Sequence, residues 1–330
     1  MTGEVELARA QGDGESRIMV AIPTCNRPED LARLLESLGA CRVPDQTHCS
    51  VLIVENGTRL PAAPVVEGRE LFGGPVRLVV EPRKGIPFAR NAALDRALAE
   101  GFDYLAFADD DETVDADWLV SLFACLKASS ADLAGGPVYA RRPPIELSAW
   151  QTWLMRGYER WYDIRQVRNE TQLRRGAQDR ITVLTNNWLL DLGFARREGM
   201  RFSDRFRISG GSDAHFCSEL RKLGGVTAWC TTAAVYETVL PERLSARYIL
   251  FRGAQQRINH LERGRERGWS IYAQAVALFL PLLAYGLFRT VSSPLVGPYA
   301  FFDGVRSCGR AFGGIMGVFG ARSGLYEIGD

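Results

Sequence analysis

Three consecutive aspartates, Asp109, Asp110 and Asp111, end an apolar run and lead into "ETVDADWL". Neighbouring carboxylates repel, so a triplet at the end of a buried run needs either full solvation or a cation. Side chains alternate along an extended segment, which puts Asp109 and Asp111 on one side and Asp110 on the other. Two carboxylates at that spacing can share one hard divalent cation, Mg²⁺ or Mn²⁺. Mg²⁺ is typically held by one or two carboxylates plus substrate phosphates. The triplet reads as a solvated acidic turn or as the protein's share of a metal site that a phosphate-bearing substrate completes. A fourth acid, Asp213 in "GGSDAHF", follows two glycines that allow close backbone approach to a substrate and opens a helical stretch. The helix dipole stabilises a carboxylate there by about 0.3–1 kcal/mol, and the same group can take a proton from a hydroxyl. Glu219 faces elsewhere on that helix and is the second choice as base; His215 reads as a packing or substrate-contact residue.

These residues sit in an alternation of strands and helices. "IMVAI" (18–22), "VLIV" (51–54), "VRLVV" (76–80) and "YLAF" (104–107) read as buried strands. "PEDLARLLESL" and "FARNAALDRALAEG" read as the helices between them, the first with a proline near its start and the second closed by a glycine. Such an order predicts an α/β fold with a mostly parallel central sheet flanked by helices, in which ligands collect at the carboxyl ends of the strands. The triplet stands at such an end. A later segment, 146–166, carries Trp150, Trp153, Tyr158, Trp161 and Tyr162 among arginines. It reads as a helix docked on the sheet or as one that grips a membrane or a lipid-linked substrate.

The 330 residues are 46% hydrophobic, enough for a full core. A formal net charge of +1 excludes the strongly basic face of a nucleic-acid binder. The seven cysteines are scattered, without a CxxC pair, and read as reduced cytosolic thiols. Residues 1–16 read as a polar, disordered tail without the apolar stretch of a signal peptide. The eighteen residues 271–288 carry no charge, close to the length a bilayer-spanning helix needs. Pro281 and Gln274 weaken a span, and Asp303, Arg306 and Arg310 interrupt a second one within 293–320. The segment 271–320 therefore reads as membrane-associated, or as buried helix. The arginines before it favour a cytoplasmic flank.

Six stretches, in order, carry a family resemblance: "VAIPTCNRPEDLARLLESL", "VLIVENG", "KGIPFARNAALDRAL", "FADDDETVDADWL", "LTNNWLL" and "GGSDAHFCSELRKLG". Over roughly residues 17–250 the chain resembles the family 2 glycosyltransferases, inverting enzymes of the GT-A nucleotide-diphospho-sugar transferase fold. The resemblance implies a catalytic domain over 17–250 and a C-terminal helical, membrane-associating segment over 251–330. It implies a nucleotide cradled by Pro23, Thr24 and Asn26, with Arg90 beside it. Glu55 would lie near the base or ribose, where the family more often carries Asp. The triplet would take the family's DxD role, Asp111 and Asp109 on the metal and Asp110 near the ribose, with Asp213 as the general base. "VYETVLPERLSARYILFRGAQQR" (235–257) is similar to the segment after the catalytic Asp in bacterial exopolysaccharide transferases of succinoglycan type. Those act on sugars linked to polyprenyl diphosphate at the inner face of the membrane, which implies a nucleotide-sugar donor, UDP-sugar favoured, and a lipid-linked or polysaccharide-precursor acceptor. The chain lacks the QxxRW box of the processive synthases, so one sugar per encounter is expected. The competing class is a catalytically silent nucleotide-sugar-binding scaffold. A nucleotidyltransferase would need a glycine-rich loop and lysine in place of "IPTCNRPED", and a dinucleotide dehydrogenase would need GxGxxG after the first strand; neither is present.

Overall fold

The computed structural model describes residues 15–207, 210–264 and 268–321. Apart from its last two residues, the tail expected over 1–16 lies outside them. The first strand, Ser16–Thr24, begins inside that range. It lies near the middle of a seven-stranded sheet whose order is Thr227–Trp229, Leu133–Gly135, Asn187–Asp191, Tyr104–Ala108, Ser16–Thr24, Thr47–Glu55 and Arg77–Val80. Every neighbouring pair is parallel except the two made by Asn187–Asp191.

The inner strands are unbroken apolar runs because each serves two cores, whereas Arg77–Val80, expected to be buried, lies at the sheet's edge and is only half-buried, with Val80 45% exposed. Ile18, Val20 and Ile22 pack with Leu31, Leu34, Leu35 and Leu38 of the helix Pro28–Gly39. Met19 and Ala21 point the other way, to Ala89, Ala93, Leu94 and Ala97 of the helix Ile86–Ala99. With both faces buried, no position in the strand is left for a polar residue.

A second sheet has three strands, Glu112–Val114, Val235–Thr238 and Val138–Arg141. Its middle strand is antiparallel to the first and parallel to the third. This sheet brings "VYET" against the triplet, where the Thr238 N–H donates to the Asp111 carbonyl at 2.8 Å.

The aromatic segment is a helix of 26 residues, Ala149–Arg174, opened by a capping box between Ser148 and Gln151. It docks on the small sheet, not the large one: Gln166 Nε2 donates to the Val138 carbonyl at 2.7 Å. Its rings meet the last helix, Pro298–Val318, with Tyr158 4.6 Å from Phe302 and Trp153 5.4 Å from Phe301 between centroids.

The helix Ala246–Arg263 runs through the boundary drawn at 250–251 without a break. The last helix lies on it backbone to backbone, since a Cβ on Gly309 would stand 2.1 Å from the Leu250 carbonyl. Residues 298–318 are thus an interior helix of this layer. Between them, Ser270–Ala277 and Phe279–Val296 form one long apolar run, interrupted at Leu278. The interruption puts Pro281 in a first helical turn, where its missing N–H costs nothing. Only 17% of the most apolar window of Ser270–Val296 is buried.

Candidate active site

The loop after the first strand is built around the triplet. Pro23 and Thr24 end that strand, in register with Val54 and Glu55 of its neighbour. Thr24 Oγ1 donates to Asp110 Oδ2 at 2.7 Å. Asn26 adopts φ 54°, a left-handed conformation that asparagine tolerates better than most residues. Arg27 Nη1 then reaches both Asp110 Oδ1, at 3.1 Å, and Asp111 Oδ2, at 3.0 Å.

The alternation expected for the triplet is therefore broken. The strand ends at Ala108, and the chain turns so that the Glu112 N–H returns to the Asp109 carbonyl at 3.2 Å. That turn gives Asp110 and Asp111 one shared arginine and leaves Asp109 to another. Asp109 Oδ1 is 3.6 Å from Arg90 Nη2, and its N–H donates to Glu112 Oε2 at 3.0 Å. Asn186, from "LTNNWLL", donates to the other oxygen of Glu112 at 2.8 Å.

Arg90 is the link between the two acidic motifs. It is 6% exposed, and its Nη1 donates to Ser212 Oγ at 3.0 Å while its Nη2 faces Asp109. Ser212 and Asp213 open the helix Ser212–Lys222, after Gly210 and Gly211 at φ 75° and 91°. Those angles are costly for any residue with a Cβ, so the glycine pair sets how the helix enters the site. Asp213 Oδ1 accepts the Ala214 N–H at 2.7 Å. Glu219, at the far end of the helix, pairs with Lys222 at 2.8 Å, and that hydrogen bond holds its carboxyl below the usual range. His215 packs against the Phe206 ring, 5.0 Å between centroids.

Two residues that sequence reasoning missed complete the acidic cluster. Arg243 Nη2 donates to Asp111 Oδ2 at 3.0 Å and its Nη1 to Glu237 Oε1 at 2.7 Å. The Tyr162 hydroxyl donates to Glu237 Oε2 at 2.6 Å. The "VYETVLPER" stretch held the signal, in that it places Glu237 and Arg243 six residues apart.

Burial dominates the electrostatics. It pushes Asp109 up to about 6 against the pull of Arg90, with Asp111, Glu237 and Asp213 adding repulsion. Asp110 is pushed up to about 7 by burial, against Arg27. Glu112 is raised well above its ordinary value by burial and by Asp109. So many desolvated acids favour an added cation. Among the described residues no three His, Cys, Asp or Glu side chains form a closed cage. Asp109 turns to Arg90 and Asp111 to Arg27 and Arg243, so the shared side expected of them is lost. As oxygen donors beside phosphate and water they remain of the type that Mg²⁺ and Mn²⁺ accept.

Glu55, expected near the base or ribose, stands behind the loop that carries Asn26. It is 1% exposed, and its oxygens accept the N–H groups of Asn26, at 3.4 Å, and Ala62, at 3.2 Å. It shapes the first loop from behind. Asn56 does the same for the next loop, donating to the carbonyls of Glu81 and Arg83 and accepting the Gly85 N–H.

Comparison with known proteins bears on this arrangement directly. The model of the glycosyl transferase family 2 matches residues 19–193, a span that holds the first strand, the triplet and the "LTNNWLL" strand. The succinoglycan biosynthesis protein ExoM of Rhizobium meliloti (strain 1021) is 31% identical over 261 residues, 77% of this chain and 79% of that protein. Among solved structures, S. aureus TarS 1–349 in complex with UDP aligns at 16% identity and a TM-score of 0.47, over 90% of this chain and 91% of that one. The same protein in complex with UDP-GlcNAc aligns at 16% identity and a TM-score of 0.48, over 89% and 90%. With the family model covering more than half of its length and a relative of 31% identity covering three quarters, the chain belongs to glycosyltransferase family 2.

Proposed function

We propose that this chain moves a single sugar, with inversion, from a nucleoside-diphosphate sugar to a lipid-linked or polysaccharide-precursor acceptor during cell-surface polysaccharide assembly. The observation that carries the reading is the Arg90 bridge, which holds the triplet and the Asp213 helix to one site. Donor-side carboxylates and an acceptor-side base then lie on opposite flanks of one reacting carbon.

In this reading the loop of Pro23, Thr24 and Asn26 receives the nucleotide, and Glu55 keeps the Asn26 amide in place for it. Thr24 and Arg27 hold Asp110 toward the ribose. Asp109 and Asp111 would hold a divalent cation, which would supply positive charge toward the departing diphosphate when bound. Arg27 and Arg243 hold Asp111 in position, and Arg90 does so for Asp109. Asp213 takes the proton of the acceptor hydroxyl as that oxygen attacks from the face opposite the diphosphate. The oxygen gains the glycosidic bond, the anomeric carbon releases the diphosphate oxygen, and the proton stays on Asp213 until water removes it. A UDP-sugar is the first donor to try. The relative named for succinoglycan biosynthesis supports a polysaccharide product.

The apolar run Ser270–Val296 supports a membrane surface as partner. Leu280, Phe288, Val291 and Leu295 are 69%, 70%, 78% and 94% exposed. On the opposite side Gly286 lies against the last helix, where a Cβ would stand 2.8 Å from the Gly304 carbonyl. A helix with one face on protein and one bare apolar face suits contact with the apolar part of a membrane. Arginines in the preceding helix favour the cytoplasmic leaflet for this contact.

The test is nucleotide release by the full-length protein from a panel of UDP-, GDP- and dTDP-sugars, with and without membrane extract as acceptor source. Acceptor-dependent release of one nucleoside diphosphate, with the sugar recovered in the lipid fraction, is expected. Tight nucleotide-sugar binding with no release under any condition would make the chain a scaffold.

A further inference from the structure

The helical layer holds charge that the mechanism above leaves unused. Arg257, on Ala246–Arg263, is 8% exposed, and its Nε and Nη2 are buried without a hydrogen-bond partner. Its stem lies along the last helix, with Cγ 3.8 Å from where a Cβ on Gly314 would stand; the Ala275 carbonyl of the apolar run is 3.6 Å from the same point. The charge that acts on Arg257 is Arg310, another cation, which makes no hydrogen bond or ion pair among the described residues. One turn earlier, Arg306 is spent on Gln256 Oε1, at 2.8 and 3.1 Å, and lies 5.0 Å over the Trp161 ring. The acid on that helix, Asp303, is taken by the Tyr285 hydroxyl at 2.6 Å and Arg289 at 3.6 Å.

A lysine in such a place could shed its proton, but a guanidinium cannot. Desolvating it without a counter-ion is strongly unfavourable, so the seat is complete only when an anion arrives. The planar fork of arginine suits phosphate oxygens better than a point charge does. Two features say which anion. The seat adjoins the bare apolar run through Ala275, which favours an anion carried on a lipid chain. The helix also leads from Arg257 to Arg263, whose Nη1 is 3.1 Å from the Cβ position of Gly211, two residues before Asp213. Six residues of helix rise cover roughly 9 Å along the axis, so the seat and the helix end beside Gly211 belong to one short stretch of the same helix.

We infer that Arg257, with Arg310 beside it, receives the diphosphate of a prenyl-diphosphate-linked acceptor. The inference rests on the proposed lipid-linked acceptor and names the residues that would hold it.

The experiment compares full-length wild type, Arg257→Met and Arg257→Lys in detergent micelles, by thermal unfolding and by titration with farnesyl diphosphate. Inorganic pyrophosphate and phosphatidylglycerol vesicles serve as separate arms. Ligand-free Arg257→Met is expected to melt at or above the wild-type temperature, because it removes an unpaired buried charge. It should bind farnesyl diphosphate at least about 30-fold more weakly, the loss typical when one partner of a buried charge pair is removed. Arg257→Lys should fall between the two, and pyrophosphate should bind wild type more weakly than farnesyl diphosphate does. A marked drop in the melting temperature of ligand-free Arg257→Met would show a structural role and overturn the assignment. Equal binding of farnesyl diphosphate by Arg257→Met would overturn it and leave the acceptor class standing. No binding by wild type would overturn both. Vesicles that stabilise wild type but not Arg257→Met would assign the seat to a phospholipid headgroup and overturn its role toward the acceptor.

Discussion

Replacing Arg243 by Met tests whether the small sheet and the aromatic helix hold the triplet in place. The guanidinium joins Asp111 at 3.0 Å to Glu237 at 2.7 Å, and Tyr162 holds the other Glu237 oxygen. Breaking a buried ion pair by removing one partner costs about 3–5 kcal/mol. Arg243 and Glu237 keep 20% of their side-chain surface in water, which screens the pair and lowers the expectation to about 2–3 kcal/mol. At about 2–4 °C per kcal/mol for chains of 150–250 residues, an upper bound for a longer one, Tm should fall by at most about 4–12 °C. The cleaner quantity is the coupling. Thermal unfolding of wild type, Arg243→Met, Glu237→Gln and the double variant closes a cycle, and directly paired residues show about 0.5–3 kcal/mol of interaction. Glu237→Gln should therefore restore part of the stability that Arg243→Met loses. Additive single effects, with coupling under about 0.3 kcal/mol, would refute the reasoning that Arg243 is held by Glu237 and in turn holds Asp111.

Three further outcomes are expected. Asp213→Asn should lower turnover by ~10²–10⁴-fold with nucleotide-sugar affinity kept, whereas Glu219→Gln, whose carboxylate is spent on Lys222, should stay within a few-fold; steady-state kinetics on both decides between them, and a dead Glu219→Gln beside an active Asp213→Asn reverses the assignment. EDTA should abolish transfer and Mn²⁺ or Mg²⁺ restore it, while Asp111→Ala should lose both activity and Mn²⁺ binding measured by calorimetry; full activity of that variant would remove the metal from the site. Phe288→Glu combined with Leu295→Glu, both on the bare face, should abolish co-sedimentation with liposomes and leave Tm nearly unchanged; undiminished sedimentation would show that the face does not carry the contact.

What could be read from the sequence follows from how far each signal reaches along the chain. "IMVAI" was legible because burial on both faces leaves no polar position, and "DLARLLESL" because one helical face meets one core. The triplet was legible because charge at the end of an apolar segment is unusual wherever the chain goes next, and Asp213 because it follows a glycine pair at the start of a helical stretch. The direction in which the aspartates point was not. It depends on a turn after Ala108, fixed by a bond from Glu112 to the Asp109 carbonyl and by an arginine 83 and 84 positions earlier in sequence. Glu55 shows the same limit. The family resemblance set it near the base or ribose, and only the fold reveals that its oxygens already accept the N–H groups of Asn26 and Ala62. Arginine was the hardest to read. With only three lysines among forty basic residues, arginine supplies nearly all the positive charge whatever its task, so Arg90, Arg243 and Arg257 look alike in the sequence. Their differences are relational: Arg90 bridges two acidic motifs 122 and 19 residues away, Arg243 neutralises two acids, and Arg257 has none to neutralise. Of these three, Arg90 and Arg243 meet partners at 2.7–3.6 Å, whereas Nε and Nη2 of Arg257 are buried without one. Arg257 lies on the helix that ends beside Gly211 and against the apolar run at Ala275, where the diphosphate of the proposed acceptor would sit.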